Sequence, residues 1–287
     1  MRMITTVAEM RQWSDHERQS GTRIGFVPTM GALHAGHLSL VARARTKADV
    51  VAASIFVNPT QFGPREDFAS YPRTLERDVD LLAQEGVAVV FAPSTEEMYP
   101  SGCITTVRVE GLSAKLEGAI RPSHFAGVTL VVAKLFHIVQ PHVAVFGRKD
   151  AQQAIILQRM VRDLDFGVEL DVAPTVREAD GLAMSSRNVY LSIAERKQAV
   201  VLARALQAGF RAWSEGERKS AVVRALMMNV LAEEPAARLD YLEIVSQRTL
   251  EPVALVRSGT LVAGAIRVGK TRLIDNWWVR EDGEAEF

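Results

Sequence analysis

The sequence predicts an α/β protein: a parallel sheet with helices on both faces, followed by a smaller α+β region. Short and almost wholly apolar runs recur at 24–28, 50–57, 87–93, 142–146 and 168–172, and stretches patterned as helix (37–47, 74–85, 126–139 and 150–163) separate them. Strands alternating with helices imply parallel βαβ units, and near-continuous apolar strands imply a sheet buried on both sides. Beyond about residue 175 the pattern changes. Residues 193–213 place Val200, Ala203, Leu206, Phe210 and Trp213 on one helical stripe, 216–234 reads as a second helix, and 239–245 and 259–269 read as strands. The expected division is a Rossmann-like domain over 1–175 and a smaller C-terminal α+β domain over 176–287, without repeats or a long linker.

The chain has 287 residues, 48% of them apolar, enough for one large core and a smaller one. Its 34 basic side chains balance 34 acidic ones, so no general field attracts nucleic acid or an anionic membrane, although a local site for a small anion remains possible. Cys103 is the single cysteine, which rules out an intrachain disulfide and points to a reducing compartment. Its neighbours Gly102 and Ile104 supply no cation to activate the thiol, so it reads as a bystander. The N-terminus lacks the pattern of a secretory signal and no run reaches 18 apolar residues, so a cytoplasmic protein without a membrane span is expected.

The residues that carry chemistry cluster where strands give way to helices. PTMGALHAGH (28–37) follows the first apolar run, in the place where an open α/β sheet binds ligands and a helix N-terminus favours phosphate. Gly31 and Gly36 allow close backbone approach, while His34 and His37, three apart, share a helical face and can donate to a phosphate as charge develops on it. Zinc is a weaker reading, because it prefers histidines four apart with a glutamate between them and a further ligand.

Three further segments are individually weak. FVNPTQF (56–62) offers the neutral amides of Asn58 and Gln61, suited to a carboxylate or hydroxyl, but by itself reads as an Asn-Pro turn. FGRKDAQQ (146–153) offers Gly147 for close approach, Lys149 as a point charge for phosphate, Asp150 as a helix cap and Gln153 one turn on. DGLAMSSRN (180–188) offers an Asp-Gly turn, two serine hydroxyls and the Arg187 fork. Together, in chain order and with three of the four at strand ends, these segments are hard to explain as chance.

PTMGALHAGH resembles the HIGH-type signature of the adenylate-forming nucleotidyltransferases, and MSSRN sits where those enzymes carry their KMSKS-type loop. With FVNPTQF, YPRTLERD, RPSHFAGV, FGRKDAQQ and RLIDN in order, residues 22–276 resemble the pantoate–β-alanine ligases. That resemblance implies an AMP-forming ligase that joins pantoate to β-alanine through a pantoyl adenylate, with ATP as substrate and Mg2+ on its phosphates. It implies that Met30, Gly31, Ala32, Leu33, His34, Ala35, Gly36 and His37 line the ATP site. His37 would be the catalytic acid, with His34 and Lys149 beside it in catalysis. Gly147, Arg148, Lys149, Asp150, Val176, Met184, Ser185, Ser186 and Arg187 would contact the nucleotide. Asn58, Gln61 and Gln153 would hold pantoate and β-alanine, and Asp78 would be an outer-sphere partner of the metal, whose protein ligands the motifs leave unknown. A homodimer feeding coenzyme A synthesis, with the C-terminal domain as a lid, completes the expectation.

One residue departs from the family pattern, which reads Gly-Glu-Lys-Asp where this chain has Gly147-Arg148-Lys149-Asp150. The extra cation either strengthens nucleotide binding or points to solvent. Two other functions share part of the pattern. A sister enzyme that adenylylates a phosphate ester would not need the glutamine pair, and a non-catalytic adenylate sensor would not need both histidines and Lys149.

Overall fold

Six strands form one wholly parallel sheet: β1 (Arg2–Ile4), β2 (Ile24–Thr29), β3 (Val50–Ile55), β4 (Val89–Phe91), β5 (Val143–Gly147) and β6 (Glu169–Ala173). Their spatial order is β1-β4-β3-β2-β5-β6, so the chain leaves β2 in one direction and returns as β5 on its other side. Such a reversal opens a crevice at the carboxyl ends of the two strands. Strand β2 pairs with β5 only through Gly25 and Phe26, and the strands have parted by Pro28. The Thr29 carbonyl accepts from Phe56 N on the β3 side, which turns Pro28 toward β5, where pairing has ceased and its missing N–H breaks no ladder bond. The strand therefore runs one residue past the proline at which the sequence pattern ended it.

Helices α1 (Val7–Gln19), α2 (Ala35–Arg45), α3 (Leu75–Gln84), α4 (Thr95–Met98), α5 (Glu117–Ile120), α6 (His124–Val139) and α7 (Ala151–Asp163) accompany the sheet. Val27, Leu33, Val41, Ala53, Leu82, Val90 and Val145 form one buried cluster beneath it. Strand β1 and helix α1 lie outside the sequence expectation. A three-residue strand has too few positions to show a period, and α1 is mostly polar, anchored by buried Met10 and capped by the Thr6 side chain on Glu9 N.

The remaining elements are α8 (Ile193–Ala199), α9 (Val201–Ser214), α10 (Ser220–Leu231), β7 (Ala237–Ser246), β8 (Thr260–Val268), β9 (Thr271–Val279) and β10 (Ala285–Glu286), the strands forming an antiparallel sheet in the order β10-β9-β8-β7. The single helix expected over 193–213 is two, which part at Val200. Its stripe still faces the core, with Leu206 fully buried and Phe210 and Trp213 packed against Trp277. The RLIDN segment is part of a strand, β9. It pairs with β8 across the two-residue turn Gly269-Lys270, where Gly269 adopts φ +56°.

The computed structural model describes residues 1–64 and 66–287. These form two compact units, Met1–Gly147 with Gln152–Ala173, and Arg148–Ala151 with Pro174–Phe287. The short segment 148–151, expected within the first domain, is counted with the second. The reason is local: Asn276 Nδ2 of β9 donates to the carbonyls of Arg148 (3.0 Å) and Lys149 (2.9 Å). Among the described residues no helix is long and apolar enough to cross a membrane.

Candidate active site

The turn between β2 and α2 is held in an unusual conformation by a buried carboxylate. Gly31 and Ala32 both have positive φ, +80° and +51°. A non-glycine residue there costs on the order of 1–3 kcal/mol and persists only if its surroundings impose it. Asp78 of α3, with 0% of its surface exposed, imposes it. Its oxygens accept from Ala32 N at 2.8 Å, Leu33 N at 2.9 Å and the Thr74 hydroxyl at 3.1 and 3.2 Å. A Cβ on Gly31 would sit 3.1 Å from Asp78 Oδ2 and from Ile55 Cγ2, so the turn accepts glycine best. The carboxylate expected to be an outer-sphere partner of the metal thus holds the turn. Leu33 is likewise a core side chain, 1% exposed, and offers a ligand only its backbone.

Asp78→Asn should therefore loosen the histidine turn, since an amide NH2 must face one of the two backbone N–H donors. The expected results are a lower melting temperature and an adenylation rate reduced about tenfold or more, as ångström-scale misplacement of catalytic groups typically does. Stopped-flow pyrophosphate release and a thermal melt on the same sample check both.

The two histidines cap α2. His34 Nδ1 accepts from Gly36 N at 3.1 Å, and His37 Nδ1 accepts from His34 N at 3.4 Å, a reciprocal capping box. The rings lie 4.1 Å apart between centroids. With Nδ1 accepting, each neutral ring carries its proton on Nε2, the atom type needed to donate to a phosphate oxygen. Capping thus uses one edge of each ring, and phosphate binding would use the opposite edge, at the positive end of the helix.

Downstream of β3, Asn58 is 1% exposed and its amide is spent inside the protein. Its oxygen accepts from Thr60 N (3.3 Å), the Thr60 hydroxyl (2.9 Å) and the Tyr99 hydroxyl (2.8 Å). Its nitrogen donates to the Gly127 carbonyl and to Gln61 Oε1, each at 3.1 Å. Asn58 thus supports the pocket and does not offer its amide to a ligand, unlike the expectation. Gln61 is held from behind as well, its carbonyl 2.9 Å from His124 Nδ1 and 3.4 Å from Arg121 Nη2, while Arg121 forks Glu66. Burial, helped by the Arg121 charge, pushes His124 down to about 4, so at neutral pH the ring is uncharged and Nδ1–H is the donor. Helix α6 approaches so closely that a Cβ on Gly127 would lie 2.3 Å from the Thr60 carbonyl oxygen. Of the adjacent glutamines on α7, Gln152 is buried and bonded to Leu112, Lys115 and Glu117, whereas Gln153 is half-buried.

In the second unit, Arg148 is 1% exposed with its guanidinium 5.7 Å from the Trp278 ring centroid, so the departure from the family pattern is a buried cation, not a solvent-facing one. Lys149 Nζ lies 3.6 Å from Asp150, which is half-exposed and sits in the 3-10 turn ahead of α7. The segment 176–188 is tied at several points. Arg177 forks Asp275 at 2.7 and 3.2 Å, Arg196 of α8 forks Asp180 at 2.8 and 3.0 Å and reaches Glu178, and Asn188 Nδ2 donates to Glu178 and to the Ala183 carbonyl. Hydrogen bonding from Arg196 holds the Glu178 and Asp180 carboxyls below the usual carboxylate range. Val176 O accepts from Met184 N, and Ser185 Oγ caps Arg187 N at 3.3 Å. The serine loop is thereby a framed turn. Tyr99, Arg196, Asp275 and Asn276 lie outside the sequence expectation for the site, although the RLIDN motif carries two of them.

A histidine-capped helix behind a central strand of a parallel sheet, with a framed Met-Ser-Ser-Arg turn later in the chain, keeps the place and order of the two motifs by which the sequence resembles the adenylate-forming nucleotidyltransferases. The profile of the pantoate-β-alanine ligase family matches residues 2–278. The chain belongs to the pantoate–β-alanine ligase family. It is 57% identical to the pantothenate synthetase of Acidobacterium capsulatum over 96% of each chain. The crystal structure of pantothenate synthetase from Thermus thermophilus matches with a TM-score of 0.92 at 52% identity, covering 96% of this chain and 98% of that one. That of the Francisella tularensis pantoate-beta-alanine ligase, complexed with beta-gamma ATP and beta-alanine, matches with a TM-score of 0.80 at 32% identity, covering 96% and 97%.

Proposed function

We propose that this chain condenses pantoate with β-alanine in two steps. The pantoate carboxylate attacks the α-phosphorus of MgATP, giving pantoyl adenylate and pyrophosphate. The β-alanine amine then attacks the acyl carbon, expelling AMP and leaving pantothenate. Adenylation is needed because a free carboxylate is a poor acyl donor. The observation that carries this reading is the pair of imidazoles that cap α2 through Nδ1 at a phosphate-favouring helix terminus.

In this scheme His34 and His37 stabilise charge on the α-phosphate, and Lys149, Ser185, Ser186 and Arg187 neutralise the rest of the triphosphate. Gln61 and Gln153 hold pantoate. Mg2+, an ion that usually keeps several waters and takes few protein ligands, would be carried by the nucleotide's own phosphate oxygens and waters. A cytoplasmic homodimer supplying coenzyme A synthesis belongs to the same proposal, supported by family membership and, for the compartment, by a single cysteine that can form no intrachain disulfide.

Pantoate-dependent release of pyrophosphate from ATP, followed by β-alanine-dependent release of AMP, tests the scheme; release that ignores pantoate rejects it. Gln153→Ala should raise the pantoate requirement and leave ATP affinity nearly intact. Calorimetric titration of each substrate decides this, and loss of ATP binding with pantoate binding retained would reverse the site assignment.

A further inference from the structure

The orientation of the Gln61 amide can be deduced from groups whose polarity is beyond choice. Thr60 N is a backbone donor, so the Asn58 atom facing it at 3.3 Å is the oxygen. The Gly127 carbonyl is an acceptor, so the Asn58 atom facing it at 3.1 Å is the nitrogen. That nitrogen also lies 3.1 Å from the Gln61 side chain, which must therefore turn its oxygen toward Asn58. The Gln61 NH2 group is left on the opposite edge, 3.1 Å from the sulfur of Met30 in the turn after β2. Gln61 thus presents donors at the carboxyl end of β2, as a substrate carboxylate, which only accepts, requires.

Thr60 belongs to the same turn as Asn58 and moves with it. The external anchors of the Asn58 amide are the Gly127 carbonyl and the Tyr99 hydroxyl, and the 2.8 Å bond from Tyr99 is the shortest of its contacts. The Tyr99 ring is itself braced by Phe56, with centroids 6.1 Å apart, and by Lys134 Nζ at 5.9 Å from the ring centroid. Burial raises the phenol above its ordinary value, which keeps the hydroxyl a donor at working pH.

We propose that Tyr99 is a positioning residue for the acid substrate: through Asn58 its hydroxyl holds the Gln61 amide with the NH2 edge toward pantoate. The inference rests on the proposed function, which identifies the ligand of Gln61. Tyr99→Phe removes only the hydroxyl, and should raise the KM for pantoate about three- to tenfold, the usual size of one neutral hydrogen bond, with the KM for ATP unchanged. Combined with Gln61→Ala, the same change should add nothing, because the group through which Tyr99 acts is gone. A merely structural role would instead raise both KM values, or add the same factor in both backgrounds. Asn58→Asp provides the second variant. It turns an oxygen toward Gln61 Oε1, so pantoate KM should rise more than in Tyr99→Phe while the melting temperature is followed separately. An unchanged pantoate KM in Tyr99→Phe, or a factor that persists in Gln61→Ala, overturns the proposal. Wild-type protein that releases pyrophosphate without regard to pantoate overturns the function itself, and this role with it.

Discussion

His37→Ala is expected to slow adenylation by about a hundredfold or more while ATP binding weakens far less, because the lost donor acts chiefly on charge that develops in the transition state. The geometry makes the distinction measurable. His37 Nδ1 accepts from His34 N at the start of α2, but His34 retains its own bond from Gly36 N, so the helix keeps one of its caps in the variant. Backbone N–H groups of the α2 terminus, which contribute to binding phosphate, are also unaltered. Single-turnover pyrophosphate release, set beside the ATP dissociation constant from calorimetry, separates the two effects. Near wild-type adenylation in the variant would remove His37 from the chemistry and leave it as a cap.

Arg187→Ala should reduce pyrophosphate formation by about tenfold or more, the loss expected when a charge-assisted contact to phosphate disappears. The frame of the loop is held by other side chains as well. Arg177–Asp275, Arg196–Asp180 and Asn188–Glu178 fix the segment from either side of it, and Ser185 Oγ caps the backbone N–H of residue 187, which alanine retains. Arg187→Lys should fall between wild type and alanine, since lysine restores the charge without the planar fork. The alanine variant should also release more AMP than pantothenate, because pantoyl adenylate is a reactive mixed anhydride that water destroys wherever it gains access. Measuring both products in one reaction checks this, and a normal rate with equal amounts of the two would exclude the loop from catalysis.

Much of the first unit was legible because parallel strands buried on both faces leave continuous apolar runs. The runs at 24–28, 50–57 and 142–146 locate β2, β3 and β5 to within about two residues at each end. The glycines and histidines of 28–37 were equally legible, since their types and spacing are the chemistry. The support for that motif was not. Asp78 lies 45 residues beyond Leu33, whose N–H it holds, and Tyr99 lies 41 beyond Asn58. Nothing in a linear pattern distinguishes a buried carboxylate that clamps a turn from one that faces a metal ion, so the hold of Asp78 on the turn leaves no signal in the sequence. Arg148 shows the same limit, because the sequence leaves the cation after Gly147 either on the nucleotide or in solvent, and only the fold shows it buried beside Trp278.

The sequence by itself determined the sheet, the order of the motifs and the identity of the groups at each strand end, because periodicity and residue type are local properties of the chain. Only the tertiary structure decided which of those groups face inward. Asn58 and Gln61 have similar amides in one turn, yet one is saturated by Gly127, Thr60 and Tyr99 while the other turns its NH2 toward Met30. A buried polar group must find partners, and those partners come from distant segments that meet only when the chain is folded.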